Sequence, residues 1–333
     1  MSHKTTRRSP KRRPPKKRKK QYRIRNWGEY NQALKQRGSL TFWVDAAALA
    51  GWCCQEKSGK PGASNHYSDS AIECALTVQS VYHLPLRATE GLLRSWWQVL
   101  ALTLPVPDYS TLCKRRQRLT VPLPQYQPHH ALHLVVDATG FKVFGEGEWK
   151  VRQHGWSRHR TWRKLHLGLD EATGEVVAAV ASARNVHEKD VLPGLLHQVI
   201  APVQQVSGDG AYDYISCYMI LAQRGARATI SPRCNARIWG TPQVANRDAN
   251  LRRIQELQGC QRKDQDWGRK AWKKESGYHR RSLVETGIFR LKTLFGDKLR
   301  ARQDSSQDNE LLLRCAALNK ITSLGMPASY AVA

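Results

Sequence analysis

The stretch 276-SGYHRRSLVETGIFRLKTLFGDKLRAR-302 sets a single glutamate, Glu285, among seven lysine and arginine residues. Its apolar residues recur at helical spacing, which predicts a helix from Ser276 to about Phe295 that ends at Gly296. At about 100° per residue one apolar stripe should face a core; it contains Val284, Ile288, Leu291 and Phe295. A neighbouring stripe, about 60° wide, carries Tyr278, Arg281, Glu285 and Lys292. This second stripe is either a solvated charge ladder or a binding surface, and the rest of the sequence has to decide.

The whole chain is strongly basic. It has 54 Lys and Arg against 27 Asp and Glu in 333 residues, a net charge of +27. Residues 1–25 hold 13 of the basic residues and no acid, so the remainder still carries +14. Such an excess favours a polyanionic partner, which is either nucleic acid or an anionic membrane surface.

The first 25 residues contain few apolar residues and are interrupted by prolines, as in RRSPKRRPPKKRKK (7–20). This composition predicts a disordered basic tail. The tail is interpreted as a phosphate-binding arm rather than a mere solubilising segment, because charge of one sign at this density binds DNA. No apolar run approaches the ~20 residues of a membrane span, and the eight cysteines form no CxxC pair. We therefore expect reduced thiols and a cytoplasmic protein.

Residues 26–125 have the pattern of a helical region. The region contains three helical segments. The third is PDYSTLCKRRQRL (107–119), and its second half is basic. Three helices joined by short turns, the last of them basic, fit a helix-turn-helix DNA-binding unit. The candidate DNA contacts there are Lys114, Arg115, Arg116 and Arg118. An ordinary bundle with a charged outer helix fits equally well. The proline-rich segment 121–130 then predicts a domain boundary.

Residues 130–325 change to an α/β pattern. The predicted order is three strands, a helix, a strand, a helix, a strand, an irregular basic insertion at about 235–275, and the helix that contains Glu285. The second and third strands form a hairpin that turns at DEATGE (170–175). This is the order of a ribonuclease-H-like mixed-sheet core, here preceded by the helical DNA-binding region.

Two aspartates follow apolar strand runs in this region. Asp137 ends LVV (134–136), and Asp209 lies in SGDGA (207–211). Carboxylates at the ends of central strands project into the crevice where sites form on open sheets. With Glu285 they make three oxygen donors suited to two Mg²⁺ ions, with Mn²⁺ as an alternative. Two such ions activate an attacking oxygen and stabilise a leaving oxygen at a phosphodiester.

Basic and aromatic residues surround this predicted site. Arg281 and Lys292 would hold DNA phosphates beside the metal ions, and Tyr278 would stack on a base or bind a phosphate. Trp149 and Trp156 alternate with basic residues, as in a single-strand contact, although a strand with buried tryptophans has the same alternation. The contact with DNA is favoured, because this segment follows Asp137 closely. Asp213, four residues after Asp209, is interpreted as a helix cap.

The spacing Tyr278-x2-Arg281-x3-Glu285-x6-Lys292 resembles the signature of bacterial insertion-sequence DDE transposases. VVDATGFKVFGEGEWKVRQHG (135–155) and SGDGAYD (207–213) are similar to the insertion sequence five family. The resemblance covers about residues 25–320. It implies that Asp137, Asp209 and Glu285 are the catalytic acids of a ribonuclease-H-like domain. It also implies Mg²⁺-dependent cleavage at transposon ends and strand transfer by the freed 3′-hydroxyl.

The same resemblance implies partners and alternatives. The N-terminal region would bind terminal inverted repeats, and because two DNA ends must meet, a homodimer or larger assembly is expected in the bacterial cytoplasm, at the nucleoid. Three other readings stay open: a metal-dependent nuclease of the same fold that does not join strands, a DNA-binding regulator without catalysis, and a polybasic protein of the membrane surface. The last would need an amphipathic apolar face near the tail, and the sequence has none there.

Overall fold

The computed structural model describes residues 21–54, 66–124, 131–143, 162–260 and 266–332. Strand β1 (Gln21–Ile24) pairs antiparallel with the last strand, β7 (Ser329–Val332). The prediction of a disordered tail through residue 25 is therefore wrong for its final residues, where QYRI has the alternation of a strand. Residues 1–20 lie outside the described residues.

Among the described residues, six helices precede the central sheet. They are α1 (Trp27–Gln36), α2 (Leu40–Trp43), α3 (Ala46–Ala50), α4 (Asp69–Val81), α5 (Leu86–Val99) and α6 (Tyr109–Arg116). Side-chain caps fix the starts of two of them, because Ser68 accepts from the N–H of Ala71 and Asp108 accepts from those of Ser110 and Thr111. The helical nature of this region is as predicted.

The central sheet has five strands in the order β4-β3-β2-β5-β6. Its strands are β2 (Leu132–Lys142), β3 (Trp162–Asp170), β4 (Val176–Ala183), β5 (Val203–Gly208) and β6 (Arg227–Ile230). The first three strands in the chain pair antiparallel, and β5 and β6 add in parallel. Helices α7 (Glu188–Gln198) and α8 (Ile215–Gln223) connect the parallel strands. The mixed α/β, ribonuclease-H-like fold class is confirmed, and the strands and helices follow one another along the chain in the predicted succession.

Alternation along β2 divides the core between the two faces of the sheet. Leu134 and Val136 pack with α7 and α8 on one face. Val135 and Phe141 point to the other face, where they join Val284, Leu291 and residues of the helical region in one cluster. The last two long helices, α11 (Ser282–Phe295) and α12 (Asp304–Ser323), supply this second cover. The helical region and the sheet thus share a core, and the boundary at residues 121–130 stays a prediction.

Helix α11 lies unusually close to the sheet at one point. A Cβ on Gly287 would come 2.6 Å from Cδ2 of Leu169 on β3. Val284, Leu291 and Phe295 are buried as the apolar stripe predicts, and Ile288 is partly buried against the same cluster. The glycine allows a close approach that holds the first turn of α11 beside β2 and β3.

Two predictions about the segment before α11 are wrong. Residues 235–275 are not irregular, since they contain helices α9 (Ala245–Cys260) and α10 (Trp267–Glu275). These helices cross closely, because a Cβ on Gly268 would lie 2.2 Å from the carbonyl oxygen of Ile254. The predicted helix start at Ser276 is also wrong. Gly277 adopts a positive φ of 69° and is followed by a 3₁₀ turn (Tyr278–Arg281), so α11 begins at Ser282.

The eight cysteines are free thiols. Within the described ranges, no helix combines the length and the apolar character that a membrane crossing requires.

Candidate active site

Asp137 and Asp209 come together because β2 and β5 run in parallel. Val135 pairs with Ser207, so each aspartate lies two residues beyond this pair, on neighbouring strands. Asp137 does not end its strand as predicted. Asp137 lies in the middle of the long strand β2, where it pairs with Leu167. The strand that ends at this level is β5, whose last residue is Gly208. The crevice that forms where β5 leaves the sheet is the place where sites occur on open sheets.

The backbone fixes the side chains of both aspartates. Oδ1 of Asp137 accepts the N–H of Ala138 at 2.8 Å, and Oδ1 of Asp209 accepts the N–H of Ala211 at 2.9 Å. Asp209 thereby caps the 3₁₀ turn Gly210–Tyr212. Gly208 is required before it, since a Cβ there would be 2.9 Å from the ring of Tyr212.

Arg281 joins Asp137 to Glu285. Its Nη1 donates to Oδ2 of Asp137 at 3.2 Å, and its Nη2 donates to Oε1 of Glu285. The side chains of Arg281 and Asp137 are only 18% and 20% exposed, whereas that of Glu285 is 53% exposed. Glu285 is therefore the acid with the most freedom to move.

The pKa of Asp137 reflects its three charged neighbours. Burial raises this pKa above the ordinary value, and the Ala138 N–H and Arg281 oppose the increase. The charges of Asp209 and Glu285 raise it further. Like charges have this effect only at short range, so the three predicted acids share one electrostatic site.

The residues of this site fit divalent cations in their donor chemistry. All three acids offer carboxylate oxygens, which hard ions such as Mg²⁺ prefer. The hydroxyl of Tyr212 is buried and has no hydrogen-bond partner within the part of the chain that the structure describes. Burial raises its pKa well above the usual value, and Asp137 and Asp209 raise it further, so it stays an O–H donor available to a water or an acid oxygen. As placed, no three histidine, cysteine or acidic side chains in the described ranges are grouped to hold a metal, because Arg281 stands between Asp137 and Glu285.

The other two residues of the predicted signature differ in accessibility. The ring of Tyr278 is 8% exposed and packs 5.7 Å from that of Trp272, so it offers no open face for stacking on a base. Lys292 lies with Nζ 5.4 Å from the centroid of Phe141, and burial lowers its pKa. Their contacts with DNA stay predictions.

The structure separates the four basic residues predicted to bind DNA, of which three lie on α6 and Arg118 lies just beyond its end. Arg116 is 5% exposed and donates to Gln79, and Arg115 donates to the carbonyl of Tyr67 and to Asp69. Only Lys114 and Arg118 are exposed. The expectation of short turns holds between α4 and α5 and is wrong between α5 and α6, which residues 100–108 connect. Trp149 and Trp156 lie outside the described residues.

Sequence reasoning missed one exposed aromatic residue and misassigned one acid. Phe289 is 68% exposed, and helical geometry places it about 40° from Glu285 on the same face of α11. The signal was its i+4 spacing from the glutamate. Asp213 is not a helix cap, since it forms a buried ion pair with Arg247 (2.8 Å) and accepts the N–H of Arg233. This ion pair connects α9 to the segment that follows Asp209.

Two protein-family models match the chain, and both are described as "Transposase DDE domain". One covers residues 35–146, and the other covers residues 128–320, more than half of the chain. A solved structure that is similar is described as the cryo-EM structure of a piggyBac transposase synaptic complex with hairpin DNA. Its identity to this chain is 11%, with 87% of this chain and 74% of that chain covered. Its TM-score is 0.39, so it carries no structural argument.

The bridge through Arg281 makes a prediction for the metal-free protein. In Arg281→Gln the pKa of Asp137 should increase further, because the cation that opposes the effect of burial is lost. The carboxyl ¹³C shift of Asp137 followed against pH by NMR measures this change. Lys292→Gln removes a charge that does not act on Asp137 and serves as the matched control. An Asp137 pKa equal in the wild type and Arg281→Gln would contradict the bridge.

Proposed function

The chain belongs to the transposase DDE domain family, and on this premise we propose that it is the DNA transposase of an insertion sequence, of the insertion sequence five type. It would bind the terminal inverted repeats, cleave the element ends and transfer the 3′-hydroxyl strands to target DNA. The observation that carries the proposal is that Asp137 and Asp209 each lie two residues beyond one parallel strand pair, while Arg281 bridges Asp137 to Glu285. Carboxylate oxygens gathered in one place are the donors that hard divalent cations prefer.

The proposed cofactor is a pair of Mg²⁺ ions, or Mn²⁺, held by Asp137, Asp209 and Glu285. When bound, such ions activate an attacking oxygen and stabilise the leaving oxygen of a phosphodiester. The chain's own contribution is position. Backbone N–H groups hold Asp137 and Asp209 in fixed orientations, so only Glu285 on α11 has to turn toward them.

Arg281 has two roles in this proposal. Without cations it neutralises Asp137 and Glu285, which lowers the repulsion between them. With the acids engaged by cations, the Arg281 guanidinium would be free to bind a DNA phosphate with two parallel hydrogen bonds. Lys292, about two helical turns from Glu285, would contact the next phosphates.

Double-stranded DNA is the proposed partner, as both terminal inverted repeats and target. The net charge of +27 supports this assignment. The chain would act as a homodimer or larger assembly on DNA, because two ends must be joined together. The helical region would bind the repeats, and its exposed residues Lys114 and Arg118 are available to phosphates.

Strand joining by the purified chain tests the proposed reaction. Labelled DNA with precut element ends should be joined to a target plasmid with Mg²⁺ and not with EDTA. Asp137→Asn and Glu285→Gln should each reduce joining by a factor of 100 or more, on the order of the loss of a group that positions the reacting charge, and should keep end binding. Glu256→Gln, which changes an exposed acid on α9, is the matched control.

The same assay separates the alternatives. Metal-dependent cutting without joining would favour a nuclease of this fold. End binding without cutting or joining would favour a DNA-binding regulator and would reject the proposed transposase.

The exposed and the buried basic side chains at α6 predict different effects: variants of the exposed ones should change DNA binding, and a variant of the buried one should change stability. Lys114→Ala with Arg118→Ala should reduce the slope of log affinity against log salt by about 1.8 units, at about 0.9 per lost phosphate contact. Thermal stability should not change. Arg116→Ala should instead reduce stability by about 1–3 kcal/mol, because Gln79 loses its buried partner. Fluorescence anisotropy across a salt series and thermal denaturation measure the two effects. An unchanged salt slope in the double variant would remove α6 from the interface.

Phe289 should stack on a base near the reacting end. Phe289→Ala is expected to weaken binding of a precut end with unpaired bases by at least 1 kcal/mol, roughly the lower value for aromatic stacking on a base. Binding of an uncut blunt repeat should not change. Ile200→Ala is the matched control, because Ile200 is an apolar side chain exposed to the same degree, at 70%. Equal losses on both DNAs would contradict stacking.

A further inference from the structure

A cavity of about 730 Å³ lies between the helical region and the segment that follows α11. Its walls are the turn between α4 and α5, the two ends of α6, and residues 295–300. It is distinct from the carboxylate site. Its volume exceeds that needed for one nucleotide and is in the range of small-ligand sites.

The charge of this cavity is positive. Arg87, Lys298 and Arg300 are exposed at its walls, and the buried Arg116 lies between them with its Nε lacking any partner among the described residues. The single acid of the wall, Asp297, is already neutralised by Lys142 at 2.6 Å. Several cations around a concave surface attract a phosphate group.

An aromatic surface lies beside these cations. The ring of Tyr109 is 41% exposed, and the guanidinium of Arg87 lies 4.5 Å from its centroid. An arginine stacked on an aromatic ring gives a planar surface on which unpaired bases stack. Phosphate-binding cations next to a stacking surface are the two requirements for a nucleotide.

We propose that this cavity binds an unpaired nucleotide of a DNA strand, with the base on Tyr109 and Arg87 and the phosphate at Arg300, Lys298 and Arg116. The assignment rests on the proposed function for the identity of the strand. Ten residues of α11 separate Glu285 from Phe295 at the cavity wall, which is about 15 Å of helix. A strand that leaves the carboxylates reaches the cavity after about four nucleotides at 3.4 Å each.

Hydrogen bonds hold the wall of the cavity that residues 295–300 form. Arg314 donates to the carbonyls of Gly296 and Lys298, and Glu310 accepts the N–H groups of Arg300 and Ala301. On the opposite wall His83 adopts a positive φ of 55°, which is strained for a residue with a side chain. Such strain persists where surrounding contacts enforce it, often at binding sites. A preformed site loses less entropy on binding.

The test uses the full chain in EDTA, so that no cleavage takes place. The probes are a 12-nucleotide single strand that contains 2-aminopurine, a blunt duplex of the same sequence, AMP and inorganic phosphate. Stacking on Tyr109 should quench the 2-aminopurine fluorescence. Tyr109→Leu should abolish this quenching, and Tyr109→Phe, which keeps the ring, should retain it.

Charge variants test the phosphate side. Lys298→Gln with Arg300→Gln should weaken binding of the single strand about tenfold and reduce its salt slope by about 1.4 units, at about 0.7 per contact. Binding of the duplex should change less. Arg302→Gln removes an equally exposed charge two residues from Arg300, outside the cavity, and is the matched control.

Three outcomes overturn the proposal. Quenching that survives Tyr109→Leu excludes the stacking surface, and an equal loss of duplex and single-strand binding excludes an unpaired nucleotide. Competition by AMP or phosphate at the same concentration as the oligonucleotide assigns the cavity to a free anion. Strand joining with Mg²⁺ is measured separately. Cavity-dependent quenching without joining would reject the transposase and retain the cavity, whereas joining without quenching would do the reverse.

Discussion

The close packing of α11 on the sheet is the contact on which the rest of the site depends. Gly287 lets the helix approach Leu169 within the distance that a methyl group would occupy, and Val284, Leu291 and Phe295 seal the contact with apolar surface. Glu285 lies between the buried residues Val284 and Leu291 in the sequence. It is more than 70 residues beyond Asp209. Its approach to Asp137 follows from the packing of the helix, and Arg281 then bridges the two acids.

Some arginines of this chain are buried and hold the fold together, and others are exposed and available to DNA. Arg116, Arg247 and Arg314 are at most 5% exposed and hold segments together through carbonyls and side-chain partners. Removal of one partner of such a buried pair is costly, because the remaining charge loses its compensation. The net charge therefore overstates how much basic surface is available to DNA. In a basic run such as Lys114–Arg118, some side chains lie in the interior and others on the surface, because successive residues of a helical stretch face different directions.

The fold class was accessible from the sequence because its signals are local. Buried strands appear as apolar runs, the β3–β4 hairpin turns at Asp170 with its side chain bonded to the backbone of the turn, and the apolar stripe of α11 repeats at 3.6 residues. The helices of residues 245–275 escaped the same reasoning. Helix α9 buries polar residues such as Arg247 and Asp248 and therefore has little apolar periodicity, and it crosses α10 closely at Gly268.

The sequence by itself determined the strand order, the family signature around Tyr278, Arg281, Glu285 and Lys292, and the identity of the candidate acids. Periodicity and residue chemistry are properties of neighbours along the chain. Only the tertiary structure decided that Tyr278 is buried against Trp272, that Phe289 is exposed beside Glu285, and that residues 295–300 form a cavity with α4, α5 and α6. Those facts depend on how segments that are distant in the sequence pack against one another. The spacing of residues within a single segment does not determine this packing.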